Sequence, residues 1–151
     1  MANSNRSVSV QRVIAASPDA IFDVLADPRR HAEIDGSGSV KQAREDTPQR
    51  LALGAHFGMD MKIGMPYHVQ NEVVEFEEDK SIAWRHMGHH VWRYELAPVA
   101  EGTRVVETFD WGPSRAPWVL ELMRVPQRNR KAMESTLVRL AAVVEPTERP
   151  S

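Results

Sequence analysis

The stretch from Pro126 to Glu145 constrains this chain most, because it reads as a long helix that needs an apolar partner. Met133, Thr136, Leu137, Leu140, Ala141 and Val144 recur at the three-and-four spacing that puts side chains on one helical face. Lys131, Glu134, Ser135 and Arg139 fall on the opposite face. A stripe of this kind has to lie against something apolar. Pro126 suits a first helical position, where its missing N–H costs nothing, and Pro146 stops the helix. A helix of about twenty residues is roughly 30 Å long, enough to cross a small domain.

What it crosses is expected from the middle of the chain. Between Val40 and Trp111 the apolar period changes from helical to two, with strands expected at about 39–46, 55–63, 67–77, 80–87, 90–98 and 103–111. Thr47-Pro48, Gly64-Met65-Pro66, Glu78-Asp79, Gly88-His89 and Glu101-Gly102 separate them. Connections this short predict consecutive antiparallel pairing rather than a parallel sheet. Ahead of this block, Ser7 to Ile14 reads as a strand, with Val8, Val10 and Ile14 in one phase. Val13 interrupts the polar phase, so cover on both faces is expected at that end. Ser17-Pro18-Asp19 predicts a helix start with Ser17 as N-cap, and Ile21, Phe22 and Leu25 form its apolar side. Asp27-Pro28 breaks that helix, Arg29 to Ile34 reads as a second short one, and residues 35–39 as a loop. After the strands, Ala116 to Arg124 is a helical lead-in to the long helix. The whole is an α+β arrangement: one curved antiparallel sheet with an amphipathic helix on one face.

A length of 151 residues fits one domain over 1–151, with flexible ends expected at about 1–6 and 146–151. The absence of cysteine excludes disulfides and thiolate zinc sites. A net charge of −2 gives no reason to expect nucleic acid as a partner. No apolar run reaches bilayer-spanning length, and Met1 to Arg6 lacks the apolar core of a signal peptide. A cytoplasmic location is therefore expected. A homodimer through an exposed sheet or helix surface is compatible with the sequence, but no residue marks one.

Local motifs carry a resemblance. ASPDAIFDVLADP over 16–28, NEVVEF over 71–76, IAWR over 82–85, GTRVVETF over 102–109 and LVRL over 137–140 resemble the START-like, helix-grip superfamily also called SRPBCC. Within it the chain looks like the polyketide cyclase/dehydrase-like and lipid-transport group, and the resemblance covers essentially the whole chain. It implies a sheet of about seven strands wrapped around the C-terminal helix, with two short helices after the first strand and a ligand cavity between sheet and helix. The superfamily includes binders, transporters and enzymes, so the resemblance implies a fold more sharply than an activity. Many relatives carry a tryptophan-containing segment where this chain has His31-Ala-Glu-Ile-Asp35, and a role tied to that aromatic is not carried over.

Alternation then selects the inward side chains. The bulky set is Phe57, Met59, Met61 and Ile63, then Ile82, Trp84 and His86, then Trp92, Tyr94 and Leu96, then Val105, Glu107, Phe109 and Trp111. Arg85, Arg93, Glu95, Arg104 and Thr108 take the solvated face. His86, Tyr94 and Glu107 are thus polar groups in an apolar space, where each must be partnered. Either they meet a polar ligand group, or act on it as acid and base, or they satisfy one another, or Glu107 sits at a water-accessible rim. Met59, Met61, Trp84, Trp92, Phe109, Met133 and Leu137 are expected walls, and equally ordinary core. His31 with Glu33 and Asp35, and His89 with His90, are read as surface residues rather than a metal site. Arg124, Arg128, Arg130 and Lys131 are read as a solvated basic face.

Three functions fit. The first is a carrier or sensor of a hydrophobic or amphipathic molecule (lipid, quinone or polyketide-like), with no cofactor. The second, supplied by the resemblance, is a cyclase or dehydratase using Glu107, His86 or Tyr94 for proton transfer. The third is a stress-type or ribosome-associated protein-interaction module.

Overall fold

The period-two segments pair into one antiparallel sheet whose strand order is β1-β7-β6-β5-β4-β3-β2. In chain order the elements are β1 (Ser7–Ile14), α1 (Pro18–Leu25), a 3-10 turn (Pro28–Arg30), α2 (His31–Ile34), β2 (Val40–Ala43), β3 (His56–Ile63), β4 (Met65–Glu77), β5 (Ser81–His86), β6 (Val91–Val99), β7 (Gly102–Asp110), α3 (Pro117–Leu122) and α4 (Val125–Val144). This computed structural model describes residues 6–36, 40–43, 49–63, 65–86 and 89–146. The side chains of 40–43, 59–63 and 65–69 lie outside that description. So do the expected ends of the 39–46 strand, most of the expected 35–39 loop, the expected breaks at Thr47-Pro48, Gly64 and Gly88, and residues 1–5 and 147–151.

From β2 to β7 the strands follow one another as the expected meander. β1 then pairs with β7, from Ser7 opposite Asp110 to Ile14 opposite Thr103, joining the first strand to the last. Gly102 makes the preceding turn with φ of 143°, and a Cβ there would collide with the Ile14 carbonyl and the backbone of Ala15. β4 begins at Met65, so Met65 and Pro66, expected in a turn, are strand residues paired with Ile63 and Lys62. The β4–β5 register slips between Val73 and Glu75. Asn71 and Val73 therefore share a face with His86 and Trp84, whereas past the bulge Phe76 takes that face beside Ile82.

α4 packs across β1 and β7 and touches α1, α2 and α3. Its stripe is buried as the spacing predicts, at Met133, Thr136, Leu137, Leu140 and Ala141, with Val144 half-buried. The helix begins one residue before Pro126, after Arg124 in the left-handed region at φ 60°. Two hydrogen bonds pin it. Glu145 Oε2 accepts from the Ala15 amide at 2.9 Å, and Thr136 Oγ1 accepts from the Gly36 amide at 2.8 Å. Gly36 comes so close that a Cβ would overlap the Ala132 carbonyl and reach 2.6 Å from the Thr136 nitrogen.

Two local expectations are corrected. Ser17 occupies the N-cap position of α1, but its hydroxyl caps no helix amide; its carbonyl accepts from Ile21 at 3.2 Å. The hydroxyl instead helps hold the Asp19 carboxyl below its ordinary value. Val13, expected to be covered, is 43% exposed. The Gly36 contact also yields a test. Gly36→Ala should lower unfolding free energy by about 1–3 kcal/mol through overpacking against α4, read as a drop in urea midpoint. An unchanged midpoint would contradict the close approach.

Candidate functional site

The inner face of the sheet is arranged in rows set by register. One row runs Ile82, Tyr94, Glu107 and Val10 across β5, β6, β7 and β1. The next runs Trp84, Trp92, Phe109 and Val8. Both rows follow from alternation on strands whose other face carries Arg85, Arg93 and Arg104.

Tyr94 and Glu107, opposite one another, form the polar centre. The Tyr94 hydroxyl donates to Glu107 Oε2 at 2.9 Å. Glu107 is 2% exposed, and its other oxygen, Oε1, has no hydrogen-bond partner among the described residues. Burial pushes the Glu107 carboxyl up to about 8; the Tyr94 hydrogen bond opposes that shift and the Asp35 charge adds to it. The Tyr94 hydroxyl is held well above its ordinary value, first by burial and then by the charge of Glu107. At neutral pH the pair is therefore a phenol beside an uncharged carboxylic acid. Of the alternatives, Tyr94 and Glu107 do satisfy one another in part, and Glu107 does not sit at a rim.

Aromatic rings share this face of the sheet with the pair. Trp84, half-buried, tilts against Tyr94 at 5.7 Å between ring centres, meets Phe57 edge-on at 5.5 Å and stacks on His31 at 5.0 Å. Trp92 lies 4.7 Å from Phe109, which stacks on Trp111 at 5.7 Å. From the helix side Met133 and Leu137 are buried in the same core cluster. Met59 and Met61 lie on β3 opposite Val69 and Tyr67; their side chains fall outside the described residues.

His31 corrects the surface reading. It is buried, and its Nε2 lies 2.8 Å from the Leu25 carbonyl. A carbonyl only accepts, so Nε2 carries the hydrogen. Burial lowers the ring's pKa, which keeps it neutral. The signal was present: Ile34, three residues on, shares its helical face and is also buried.

His86 is not in the Tyr94 row. It lies four residues beyond Ile82 on β5, roughly 13 Å along the strand. Its ring stacks on His90 at 4.4 Å, and His90 meets Phe109 at 5.4 Å. His90, read from the sequence as a surface residue, is half-buried, and burial with the nearby His86 lowers its pKa to about 4. His89 turns away at φ 76° and accepts from the Arg115 guanidinium at 3.2 Å. Among the described residues no group of three or more His, Asp or Glu side chains is placed to hold a metal ion. Nor, among them, is any helix long and apolar enough to cross a membrane, which leaves strand-built barrels unaddressed.

The Glu107 shift fixes a sign. Its folded value, about 8, exceeds the reference 4.5, so the folded state holds a proton that the unfolded chain releases. Its contribution is full below 4.5 and is lost as pH rises to about 8. The expected loss is on the order of a few kcal/mol. The lowered pKa values of the buried His31 and the half-buried His86 and His90 drive stability the other way over this range in both proteins. Urea unfolding at about pH 5 and about pH 8 should therefore show the loss as a difference, the wild type falling relative to Glu107→Gln. Parallel pH dependence in the two proteins would contradict it.

With this geometry, the chain can be compared with known proteins. The profile of the family described as "Polyketide cyclase / dehydrase and lipid transport" matches residues 5–145. The chain is similar to the uncharacterized protein Rv0088 of Mycobacterium tuberculosis H37Rv, with 34% identity over 143 residues, covering 91% of this chain and 62% of that protein. The chain thus spans less than two thirds of the length of the curated relatives it matches. Among solved structures, protein CV1439 from Chromobacterium violaceum superposes with a TM-score of 0.74 at 20% identity, covering 95% of this chain and 100% of that one. The AHSA1-like protein from Aeromonas hydrophila gives 0.68 at 18% identity, covering 96% and 99%. At these identities the structural likenesses speak for the fold alone. The profile match, on a helix-grip fold of curved sheet and long C-terminal helix, places the chain in the polyketide cyclase/dehydrase and lipid-transport family of START-like, SRPBCC-type proteins.

Proposed function

We propose that this chain forms a single START-like domain that binds a hydrophobic or amphipathic small molecule between the sheet and α4, as a carrier or sensor. The observation that carries this reading is the buried Glu107 oxygen left without a partner among aromatic side chains. Leaving such a group unsatisfied costs roughly 1–3 kcal/mol, so a ligand that satisfies it gains affinity as well as position. The family's description supplies the ligand class at its coarsest, a lipid or polyketide-like compound; a quinone fits the same walls.

The assigned roles follow. Trp84, Trp92 and Phe109 form the sheet wall, Met133 and Leu137 the helix wall, and Tyr94 with Glu107 the polar contact. His86, with His90 stacked on it, lines the far end, and Met59 and Met61 are kept as candidate wall residues from the sequence alternation alone. Burying about 300 Å² of apolar ligand surface gains roughly 7 kcal/mol before association costs of several kcal/mol. Micromolar binding therefore needs a larger ligand or the polar contact. The reading requires no cofactor, nucleic acid or second copy of the chain, and a cytoplasmic location is proposed with it.

A second reading has its own observation. A carboxyl with a pKa near 8, hydrogen-bonded to a phenol, is suited to general-acid work at neutral pH. In a cyclase or dehydratase Glu107 would be the proton donor and Tyr94 would orient it. Native mass spectrometry of protein purified from its source should find one small apolar molecule retained per chain. The emptied protein should take up N-phenyl-1-naphthylamine, and Leu137→Trp, filling the space from α4, should weaken that uptake roughly tenfold. An empty protein that takes up no probe would contradict binding. Proton-transfer activity lost in Glu107→Gln while ligand affinity persists would move the enzyme reading to the front.

A further inference from the structure

We infer that the ligand presents a neutral hydrogen-bond-accepting oxygen, such as the carbonyl of a ketone, quinone or ester, to Glu107 Oε1. The inference rests on the binding reading above and narrows its ligand class from "apolar with some polar group" to a stated functional group and a stated atom.

The Tyr94 hydroxyl has one hydrogen, and it is committed to Glu107 Oε2 at 2.9 Å. The acid hydrogen of an uncharged Glu107 then belongs on Oε1, the oxygen that is buried with no partner among the described residues. A buried donor without an acceptor calls for an acceptor. The pKa near 8 keeps that hydrogen in place at neutral pH.

The surroundings favour an uncharged ligand atom. Val10 of β1 and Ile82 of β5 flank the pair in its row, and neither ionises. The buried positions of α4 (Met133, Thr136, Leu137 and Leu140) add no charge. The charge that does act on the pair is Asp35 at the end of α2, and it is negative. A ligand carboxylate would be repelled by Asp35. An ammonium would have to leave water, and Glu107 would have to release its proton to solvent to match it, at a desolvation cost that ion pairing in an apolar interior often fails to recover. A carbonyl needs neither charge nor proton transfer.

The test uses the full chain, emptied of bound material, and three probes of one shape: acetylnaphthalene, isopropylnaphthalene and (aminoethyl)naphthalene. Affinities are read from quenching of tryptophan fluorescence. At neutral pH the ketone should bind about five- to tenfold tighter than the hydrocarbon, the worth of one buried hydrogen bond. The preference should vanish as pH rises past about 8, where Glu107 loses its hydrogen. Glu107→Gln should keep the preference on both sides of that pH, because its amide N–H donates to the ligand while its carbonyl still accepts from Tyr94. Glu107→Leu should lose the preference and retain the hydrocarbon. Equal ketone and hydrocarbon affinity in the wild type, or tightest binding of the amine, would overturn the inference and leave the binding reading standing. No binding of any probe would overturn both.

Discussion

The apolar stripe of α4 has to be taken out of water, and most of the architecture follows from how that is done. Leu137 and Leu140 are essentially fully buried, and burial of side chains of that size contributes about 1.5–3 kcal/mol each. No single neighbouring strand is wide enough to cover a twenty-residue helix. The cover comes from joining the first strand to the last, so that β1 and β7 lie side by side beneath it. The two ends of the arrangement are then tied. Glu145 holds the helix end to the turn after β1, and Thr136 with the bare backbone of Gly36 holds α2 against its middle.

That same enclosure gives the carboxylates of this chain two different characters. On the outer face, Arg93 meets Glu75 at 3.2 Å and Arg85 meets Glu72 at 3.0 Å, partly exposed pairs that contribute little to stability. On the inner face Glu107 has no cation among the described residues. One residue of the same strand type, turned the other way, passes from an ordinary ionised group to an acid kept neutral by its surroundings. A fold needing only a core would be served as well by leucine at that place. Holding a polar group there has a cost, and the proposed recognition of a ligand would give that cost a use.

The sequence revealed the helix and its buried face almost completely, because the period of its apolar residues is a local property. The same holds for the hairpin of β5 and β6 and for β7, where alternation selected Tyr94 and Glu107 correctly. The pairing of β1 with β7 was not legible, since it depends on closure over nearly the whole chain rather than on any local pattern. The β4 bulge was hidden for a related reason: Val73, Val74 and Phe76 are all apolar, so composition does not show where the parity changes. His90 was missed for the opposite reason: it stands in a short connecting segment, where burial is decided by what the tertiary fold lays over it, here His86. His31 was legible from the helical face it shares with Ile34. His86 faces inward as expected, yet register places it away from the pair it was grouped with.

The account turns on Glu107 being uncharged in the folded protein at neutral pH. Carboxyl carbon NMR of the folded chain, with Glu107 assigned by comparison with Glu107→Gln and followed through a pH titration, tests this directly. The account predicts a protonated carboxyl at neutral pH with a midpoint near 8. A midpoint near the ordinary 4.5 would show an ionised Glu107, and the assignment of its oxygen as a hydrogen-bond donor would be wrong.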